Sequence, residues 1–487
     1  MMDVTIQDMT SSMTPGEQAL AAQARAEQAA LAHPDRSWVT PVTVDGAPCL
    51  DVLVIGGGQS GLVIAQGLRR AGVVNVAVLD ARPAGQEGVW EHFARMSELR
   101  TPKVQNGIEF GQPSLSARAW FIARHGQAAW DRITRIPRQD WMAYLRWYRA
   151  VLDLPVENDV SVSDIRPGPR DGVLAVETSR GIRFARSVVL ATGFDGGGAW
   201  RLPPVVASAL PLDRYDHACT PIDFNRFHGK RLGILGHAAS AFDSAVVALQ
   251  AGAASVDLCF RRPALPIVNP HRHLEAAGMM AHWPALNDRV RWNIARHMRL
   301  FDQPPGIASF ETAITLPGFR MHAASPWDDV SIDGDAIRVV TPRQVFHFDH
   351  LICATGYAFD LSARPELRHI VSGITLWRDR FDPTPEEASS ELGAFPYLGE
   401  GYEFIPRGPG DNWISRVHAF NFAAFVSMGP HSTSISGHKH ALPRLLRALG
   451  RRLFLEQEDG VLAALRGYDE IELAIPPGLL KQEETYA

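Results

Sequence analysis

Asp51-Val52-Leu53-Val54-Ile55-Gly56-Gly57-Gly58-Gln59-Ser60-Gly61 is the stretch that decides the fold. Val52 to Ile55 is a short, β-rich apolar run, as expected for a strand buried on both faces of a parallel sheet. Glycines follow at once. Leu62, Val63, Ile64, Ala65 and Leu68 then give a helix an apolar side, and Arg69, Arg70 and Gly72 mark its end. A second strand, Val76 to Leu79, ends on Asp80, about twenty residues beyond the last glycine, which completes the dinucleotide fingerprint. Each part has a physical task. Gly56 makes the tight turn, Gly58 lets a pyrophosphate reach the backbone, Gly61 lets helix and strand pack closely, and Asp80 accepts from a ribose hydroxyl. Gln59 and Ser60 open the helix, whose N-H groups and positive dipole end suit a diphosphate, and Ala81 follows the acid.

The whole chain has room for this unit and more. Its 487 residues imply two or three domains at about 150 residues each. Lys and Arg number 48 against 53 Asp and Glu, with no long block of one sign, which argues against a nucleic-acid partner. No apolar run approaches the ~20 residues needed to span a bilayer, and no basic-then-apolar leader opens the chain. A soluble, cytoplasmic protein without membrane association is expected, and its oligomeric state is left open. Cys49, Cys219, Cys259 and Cys353 are scattered, without a Cys-x-x-Cys pair, which argues against dithiol-disulfide chemistry and for core positions.

Around this unit the chain reads in order. Pro15 to His33 is a surface helix bounded by Pro15 and Pro34. After Asp80 a glycine-punctuated loop carries Gly88 and Trp90, read either as a surface turn or as a lining for the cofactor at the sheet edge. Leu99-Arg100-Thr101-Pro102-Lys103 brings cationic and hydroxyl groups toward the same crevice. Asp140 to Leu152 is an amphipathic helix with Trp141, Tyr144, Leu145 and Tyr148 as core residues. Val160 to Ile165, Val173 to Thr178 and Ile182 to Phe184 form a small meander in which Val162 is a candidate cofactor contact. It leads into a buried strand ending in Ala191-Thr192-Gly193, which returns beneath the cofactor.

A second unit starts at Arg231, with Gly236, Ala238, Ser240 and Ala241 in its turn and helix start. Its second strand, Ser255 to Phe260, ends in Arg261-Arg262 where the first unit has an acid. An acid suits a free ribose hydroxyl, whereas paired arginines suit a 2'-phosphate through charge-assisted bonds. The first site therefore reads as FAD and the second as NADPH, although Ala238 puts a methyl where a glycine would allow the closest pyrophosphate approach. A third strand, Asp349 to Cys353, repeats the return ending as Ala354-Thr355-Gly356-Tyr357. The expected architecture is α/β, with two Rossmann-like dinucleotide-binding domains, the NADPH domain inserted in the FAD domain. The expected bounds are 1–45 for a helical lead, 46–215 and 350–487 for FAD, and 216–349 for NADPH with a possible substrate lid.

The two fingerprints, the Gly88-x-Trp90 loop and the Ala354-Thr355-Gly356-Tyr357 close together resemble the class B flavoprotein monooxygenases over residues 50 to 440. That group takes in flavin-containing monooxygenases, Baeyer-Villiger enzymes and ornithine or lysine N-hydroxylases. Two departures are visible. Pro211 and Asp213 stand where the family signature before His217 has Phe and Gly, and Thr101-Pro102 stands where a Thr-Asn pair belongs, with Asn106 as a substitute. Gly429-Pro430-His431-Ser432-Thr433 resembles the place where these proteins aim a helix N-terminus at the flavin pyrimidine, with Ser432 and Thr433 as donors.

The resemblance implies that NADPH reduces FAD, that a flavin C4a-(hydro)peroxide forms with dioxygen, and that one oxygen atom passes to nitrogen or sulfur of a small molecule. Lys103 and His431 are the side chains expected to assist. Baeyer-Villiger oxidation of a ketone, and NADPH-dependent reduction without oxygen transfer, are the alternatives. Residues 263 to 345 either form a lid or pack on the nucleotide domain. His271-Arg-His273 and His438-Lys-His440 lack a third ligand, so no metal is expected.

Overall fold

The computed structural model describes residues 13–105 and 107–476. Two parallel-centred sheets hold the molecule together. The first uses β1 (Val42–Val44), β2 (Ala47–Ile55), β3 (Val76–Leu79), β4 (Val156–Glu157), β5 (Val162–Pro167), β6 (Leu174–Thr178) and β7 (Gly181–Leu190) in the order β4-β3-β2-β7-β6-β5. β1 pairs antiparallel with β2, and Val417–His418 adds a short parallel strand to β7. The second sheet uses β8 (Tyr215–His217), β9 (Arg231–Leu235), β10 (Ser255–Cys259), β11 (Phe319–His322) and β12 (His350–Cys353), all parallel, in the order β11-β10-β9-β12-β8.

The apolar runs form the centres of these sheets. Val52, Leu53 and Val54 are fully buried, as are Leu232 and Ile234 in the matching strand of the second sheet. The helix after the first fingerprint, α1 (Gln59–Arg70), buries Leu62 to Leu68 and ends where Arg69 donates to the carbonyls of Leu152 and Asp153. The helix over 140–152 is observed as Arg138–Val151, with Trp141, Tyr144, Leu145 and Tyr148 all buried. The N-terminal helix runs Pro15–Ala30 and starts on a Thr14–Glu17 capping box. It is part of the first core: Ala21 and Ala24 pack there, and Trp147 Nε1 donates to the Glu17 carbonyl.

Two expectations change in detail. The third arm of the meander and the return strand are one element: β7 pairs antiparallel with β6 along its first half and parallel with β2 along most of its length. The change of unit placed at 349/350 moves to the end of β12, because His350–Cys353 lies between β9 and β8 in the second sheet. Residues 263 to 301 add helices whose Leu274, Trp283, Trp292 and Met298 pack on Trp377, Phe395 and Phe425. That insert therefore packs on the C-terminal region around residues 377 to 426. Cys49, Cys259 and Cys353 are core residues, and burial pushes their thiols up to about 11, 12 and 12. Among the described residues no helix is long and apolar enough to cross a membrane.

Candidate active site

The first cradle forms where β2 gives way to α1. Gly56 has φ +108, and a Cβ there would stand 2.5 Å from the Ala191 carbonyl at the end of β7. A Cβ on Gly61 would overlap the Gly56 carbonyl, so helix and turn touch backbone to backbone. Gly58 is the N-cap of α1 and faces the Cα of Gly88, 3.4 Å from where its own Cβ would be. The loop after Asp80 therefore closes over the fingerprint turn. Asp80 is buried and accepts from the N-H groups of Gly57 (2.6 Å) and Arg82 (2.8 Å). Burial pushes its carboxyl up, and the two backbone donors pull it back only in part.

A cleft of about 240 Å³ opens beside this turn, walled by Gly57, Gly58, Leu62, Glu87, Arg146 and Arg149 among others. Its charged wall is built from distant segments. Arg149 Nη1 donates to Glu87 Oε1 at 2.5 Å, Asn158 Nδ2 donates to the same oxygen at 2.7 Å, and Arg149 Nη2 donates to the Val156 carbonyl. Burial lowers the Arg149 pKa, and Glu87 offsets that. A sequence signal for this group existed: Trp141, Leu145 and Arg149 follow one helix face at intervals of four, so an arginine sits on an apolar stripe. A dinucleotide fits this cradle on physical grounds. The turn has no side chains where the ligand would pass, the helix N-terminus is open toward it, and the buried Gln59 Oε1 lacks a partner.

The other residues expected at this cofactor are placed as follows. Ala81 is exposed beside Asp80. Trp90 is half-buried and meets Trp141 edge-to-face at 6.4 Å. Val162 lies two residues past Val160, whose N-H donates to the Asp80 carbonyl. Ala191, Thr192 and Gly193 leave β7 beside Gly56, and Asn421 Nδ2 donates to Thr192 Oγ1 at 3.0 Å. Asn421 was not singled out from the sequence for this role.

The C-terminal loop supplies a second cleft of about 260 Å³, lined by Leu274, Met279, Met280, Trp283 and the run Met428 to Ser432. Ser432 is buried and Thr433 half-buried. His431 Nε2 lies 3.0 Å from the His271 carbonyl, and the two rings meet edge-to-face at 5.5 Å. A carbonyl only accepts, so this bond puts the proton on Nε2 and leaves Nδ1 as an acceptor. Burial lowers both pKa values, that of His271 to about 4. Lys103 is placed differently. Its ammonium donates to the Trp130 carbonyl at 2.5 Å and sits over the Trp130 ring, and it is not among the residues lining either cleft. Asn106 lies outside the described residues.

The second cradle repeats the first with different side chains. A Cβ at Gly236 would overlap the Ala354 carbonyl at the end of β12, and Ala238 is the N-cap of α2 (Ala239–Gln250), with Ser240 in its first turn. His237 Nε2 approaches Asp302 Oδ2 to 3.3 Å. Burial works against the Asp302 carboxylate, yet His237 and the Gln303 N-H hold it below the usual range. Asp243 in α2 is buried, accepts from Ser309 and faces Arg100 at 4.0 Å. Arg100, with 39% of its side chain exposed, thus links the loop after the first cradle to the second. Arg261 is exposed, and Arg262 Nη2 donates to the Leu300 carbonyl at 2.9 Å. Thr355 Oγ1 donates to the Arg201 carbonyl, and Gly356 follows with its carbonyl bonded to the Arg201 N-H.

Comparison with known proteins agrees with this layout. A family model described as pyridine nucleotide-disulphide oxidoreductase matches residues 53–275. The FAD-dependent urate hydroxylase of Xanthomonas campestris pv. campestris is 43% identical over 444 residues, covering 91% of this chain and 94% of that protein. Among solved structures, ornithine hydroxylase from Pseudomonas aeruginosa has a TM-score of 0.65 at 16% identity, over 83% of this chain and 100% of that one. The FAD-bound cadaverine monooxygenase of desferrioxamine biosynthesis from Erwinia amylovora has a TM-score of 0.61 at 14% identity, over 90% of this chain and 100% of that one. At such identities the two structures speak for the fold.

Proposed function

The chain belongs to the flavoprotein monooxygenases, in the family of the FAD-dependent urate hydroxylase, and from that premise we propose that its substrate is urate or a closely related planar, nitrogen-rich heterocycle. It is an FAD- and NADPH-dependent monooxygenase. One observation carries the substrate reading. The 43% identity runs over 444 residues, a span too long for either cradle or the C-terminal loop to fall outside it. Bound FAD supplies hydride acceptance from NADPH and activation of dioxygen, so that one oxygen atom enters the substrate and the other leaves as water.

The chain's own residues bind, orient and exclude water. In the first cradle Gly56, Gly58 and Gly61 seat the FAD diphosphate on the first turn of α1, with Gln59 and Ser60 beside it. Asp80 takes the ribose hydroxyl, while Ala81, Gly88, Trp90 and Val162 line the adenosine half. Ala191, Thr192 and Gly193 at the end of β7 would meet the flavin half, with Ser432 and Thr433 as its donors from the C-terminal loop. In the second cradle Gly236 and Ser240 seat the NADPH diphosphate, Arg261 and Arg262 meet its 2'-phosphate, and Thr355 and Gly356 close the edge. By this assignment residues 46–215 and those after β12 hold FAD, and 216–353 hold NADPH. Met279, Met280 and Trp283 keep water from the cleft at the C-terminal loop. There His431 Nδ1 is an acceptor for a substrate N-H. Lys103, tied to Trp130, is given no part.

The test is turnover of the purified flavoprotein with NADPH, urate and isotopically labelled dioxygen. The expected result is urate-dependent NADPH oxidation with one labelled oxygen atom in the product. NADPH consumption that urate leaves unchanged, yielding only hydrogen peroxide, overturns the substrate. Failure of the protein to take up FAD overturns the whole reading.

A further inference from the structure

Two helices meet at the first cradle. Alongside α1 runs α3 (His438–Leu455), and they pack closely because Gly67 has no side chain where a Cβ would stand 2.5 Å from Leu446 Cδ1. At their N-terminal ends a single side-chain bond joins them: His438 Nε2 lies 3.0 Å from Ser60 Oγ, with both residues buried. Ser60 is the second residue of α1, so its hydroxyl stands in the turn that offers N-H groups to an anion. His438 is the first residue of α3, and its ring lies nearly parallel to Phe420 at 5.9 Å.

The chemistry of this pair is constrained. Burial drives the His438 pKa down to about 3, so the imidazole is neutral and one nitrogen carries the proton. Two helix N-termini nearby disfavour a cation there as well. Nδ1 is buried and has no hydrogen-bond partner. A buried N-H without a partner is rarer than an unfilled acceptor, which puts the proton on Nε2 and leaves Nδ1 bare. Nε2-H then donates to Ser60 Oγ. A hydroxyl has one proton and two lone pairs, so filling a lone pair leaves the Ser60 proton to point away from the ring. Without that donor, Ser60 is free to turn its proton back onto the carbonyl of Gly56 or Gly57, four and three residues earlier in the turn, as serines commonly do.

We propose that His438 is a positioning residue for the flavin: it holds the Ser60 hydroxyl with its proton directed at the FAD diphosphate, and so couples the seating of α3 to the presence of the cofactor. This rests on the assignment of FAD to the first cradle.

The test is titration of flavin-stripped protein with FAD, read by quenching of flavin fluorescence, together with thermal midpoints with and without FAD. Wild-type protein that binds no FAD refutes the cofactor assignment, and the role of His438 falls with it; failures confined to the variants refute the role of His438 alone. With wild-type binding in hand, His438→Ala and Ser60→Ala each weaken FAD binding about tenfold, the size of one hydrogen bond involving a charged group. The double variant is no weaker than Ser60→Ala. His438→Gln, whose amide nitrogen reaches the Nε2 position, recovers most of the affinity, whereas His438→Asn, whose amide reaches only Nδ1, does not. This pair also decides the matter if His438→Ala does not fold. A merely structural histidine lowers both midpoints equally, but a positioning one shrinks the rise that FAD produces. Wild-type affinity in His438→Ala, additive losses in the double variant, or equal binding by the Gln and Asn variants overturns the proposal.

Discussion

The two cradles have one backbone plan and opposite demands on their side chains. Gly58 and Ala238 are both N-caps in extended conformation, with φ, ψ of −68°, −172° and −87°, −176°. Gly56 and Gly236 both press against the carbonyl that ends a return strand. The difference is in what surrounds them. The first turn is closed over by Gly88 and backed by a buried acid, a buried Arg-Glu pair and a second helix. The second is flanked by polar groups at the crevice, His237, Asp302, Arg100 and Arg262, several of them half-exposed. A dinucleotide enclosed on all sides is held as a resident cofactor, whereas one lying across an open turn can exchange each cycle. Gly56 and Gly236 are both retained where the wall is backbone, whereas Ala238 and Ala241 stand in the second cradle where the first has Gly58 and Gly61.

The largest effect separates the cradles outright. Gly61→Ala puts a methyl into the Gly56 carbonyl, and neither side of that contact is a side chain that can swing away. The expected outcome is protein purified without bound flavin, read as the ratio of 450 nm to 280 nm absorbance. The matching position in the second cradle is already Ala241, which is fully buried and accommodated. Ala241→Gly therefore leaves flavin content untouched. Full flavin loading of Gly61→Ala would break the comparison.

Acid should act next. His217, His271 and His418 are held at about 4 and His438 at about 3, each mainly by burial. Their folded pKa values lie below the unfolded value of ~6.5, so between those limits the unfolded chain binds more protons. Stability is complete above pH 6.5 and falls as pH drops toward 4. His418 and His438 belong to the first sheet and its C-terminal helix, while His217 ends the edge strand of the second. Flavin fluorescence should therefore rise before helical circular dichroism falls as pH is lowered from 7 to 5. A flat thermal midpoint over that range would sink this expectation.

The same contrast explains what could be read from the chain alone. The first cradle is nearly local: turn, helix, acid and closing loop lie within residues 51 to 90, and each has a residue-level signature. The contacts that tighten it are not local. Glu87 and Arg149 are 62 residues apart, and Ser60 and His438 are 378 apart. Nothing in the spacing of a serine in a fingerprint and a histidine at a helix start says that they meet. Lys103 shows the converse failure. Its charge suggested a role at the crevice, but the Trp130 carbonyl and ring are nearer, and a loop sequence does not reveal which way a lysine turns. The sheet to which His350–Cys353 belongs is not legible in the sequence, because a return strand looks alike whichever sheet it rejoins.

Arg261 and Arg262 test the chemical half of the comparison. Arg262 is anchored through Leu300, which fixes its guanidinium at the end of β10, where the first cradle has Asp80. A charge-assisted bond contributes about 1.5–3 kcal/mol, so Arg261→Ala/Arg262→Ala should raise KM for NADPH roughly tenfold or more. The kcat at saturation, and the KM for NADH, should stay as they were. An equal rise for NADH would show that the arginines serve the shared diphosphate.

The smallest expected effect is at Ala238. Its methyl stands where the first cradle has a bare Gly58, and a simple transfer of the fingerprint rule predicts that Ala238→Gly tightens NADPH. The geometry argues for little change. A Cβ at Gly58 would meet only the Gly88 backbone, at an ordinary contact distance of 3.4 Å, and Ala238 already carries its methyl at a half-buried position. Ala238 also has φ −87°, a value that costs an L-residue nothing. Removing the methyl frees space but adds unfolded-chain entropy, about 0.4–1 kcal/mol against the folded state. KM for NADPH should consequently move by less than about threefold, equivalent to about 0.65 kcal/mol. The thermal midpoint should fall slightly. A tenfold gain in affinity would mean that the diphosphate presses on this turn as closely as on the first, and the two cradles would then differ in sequence only.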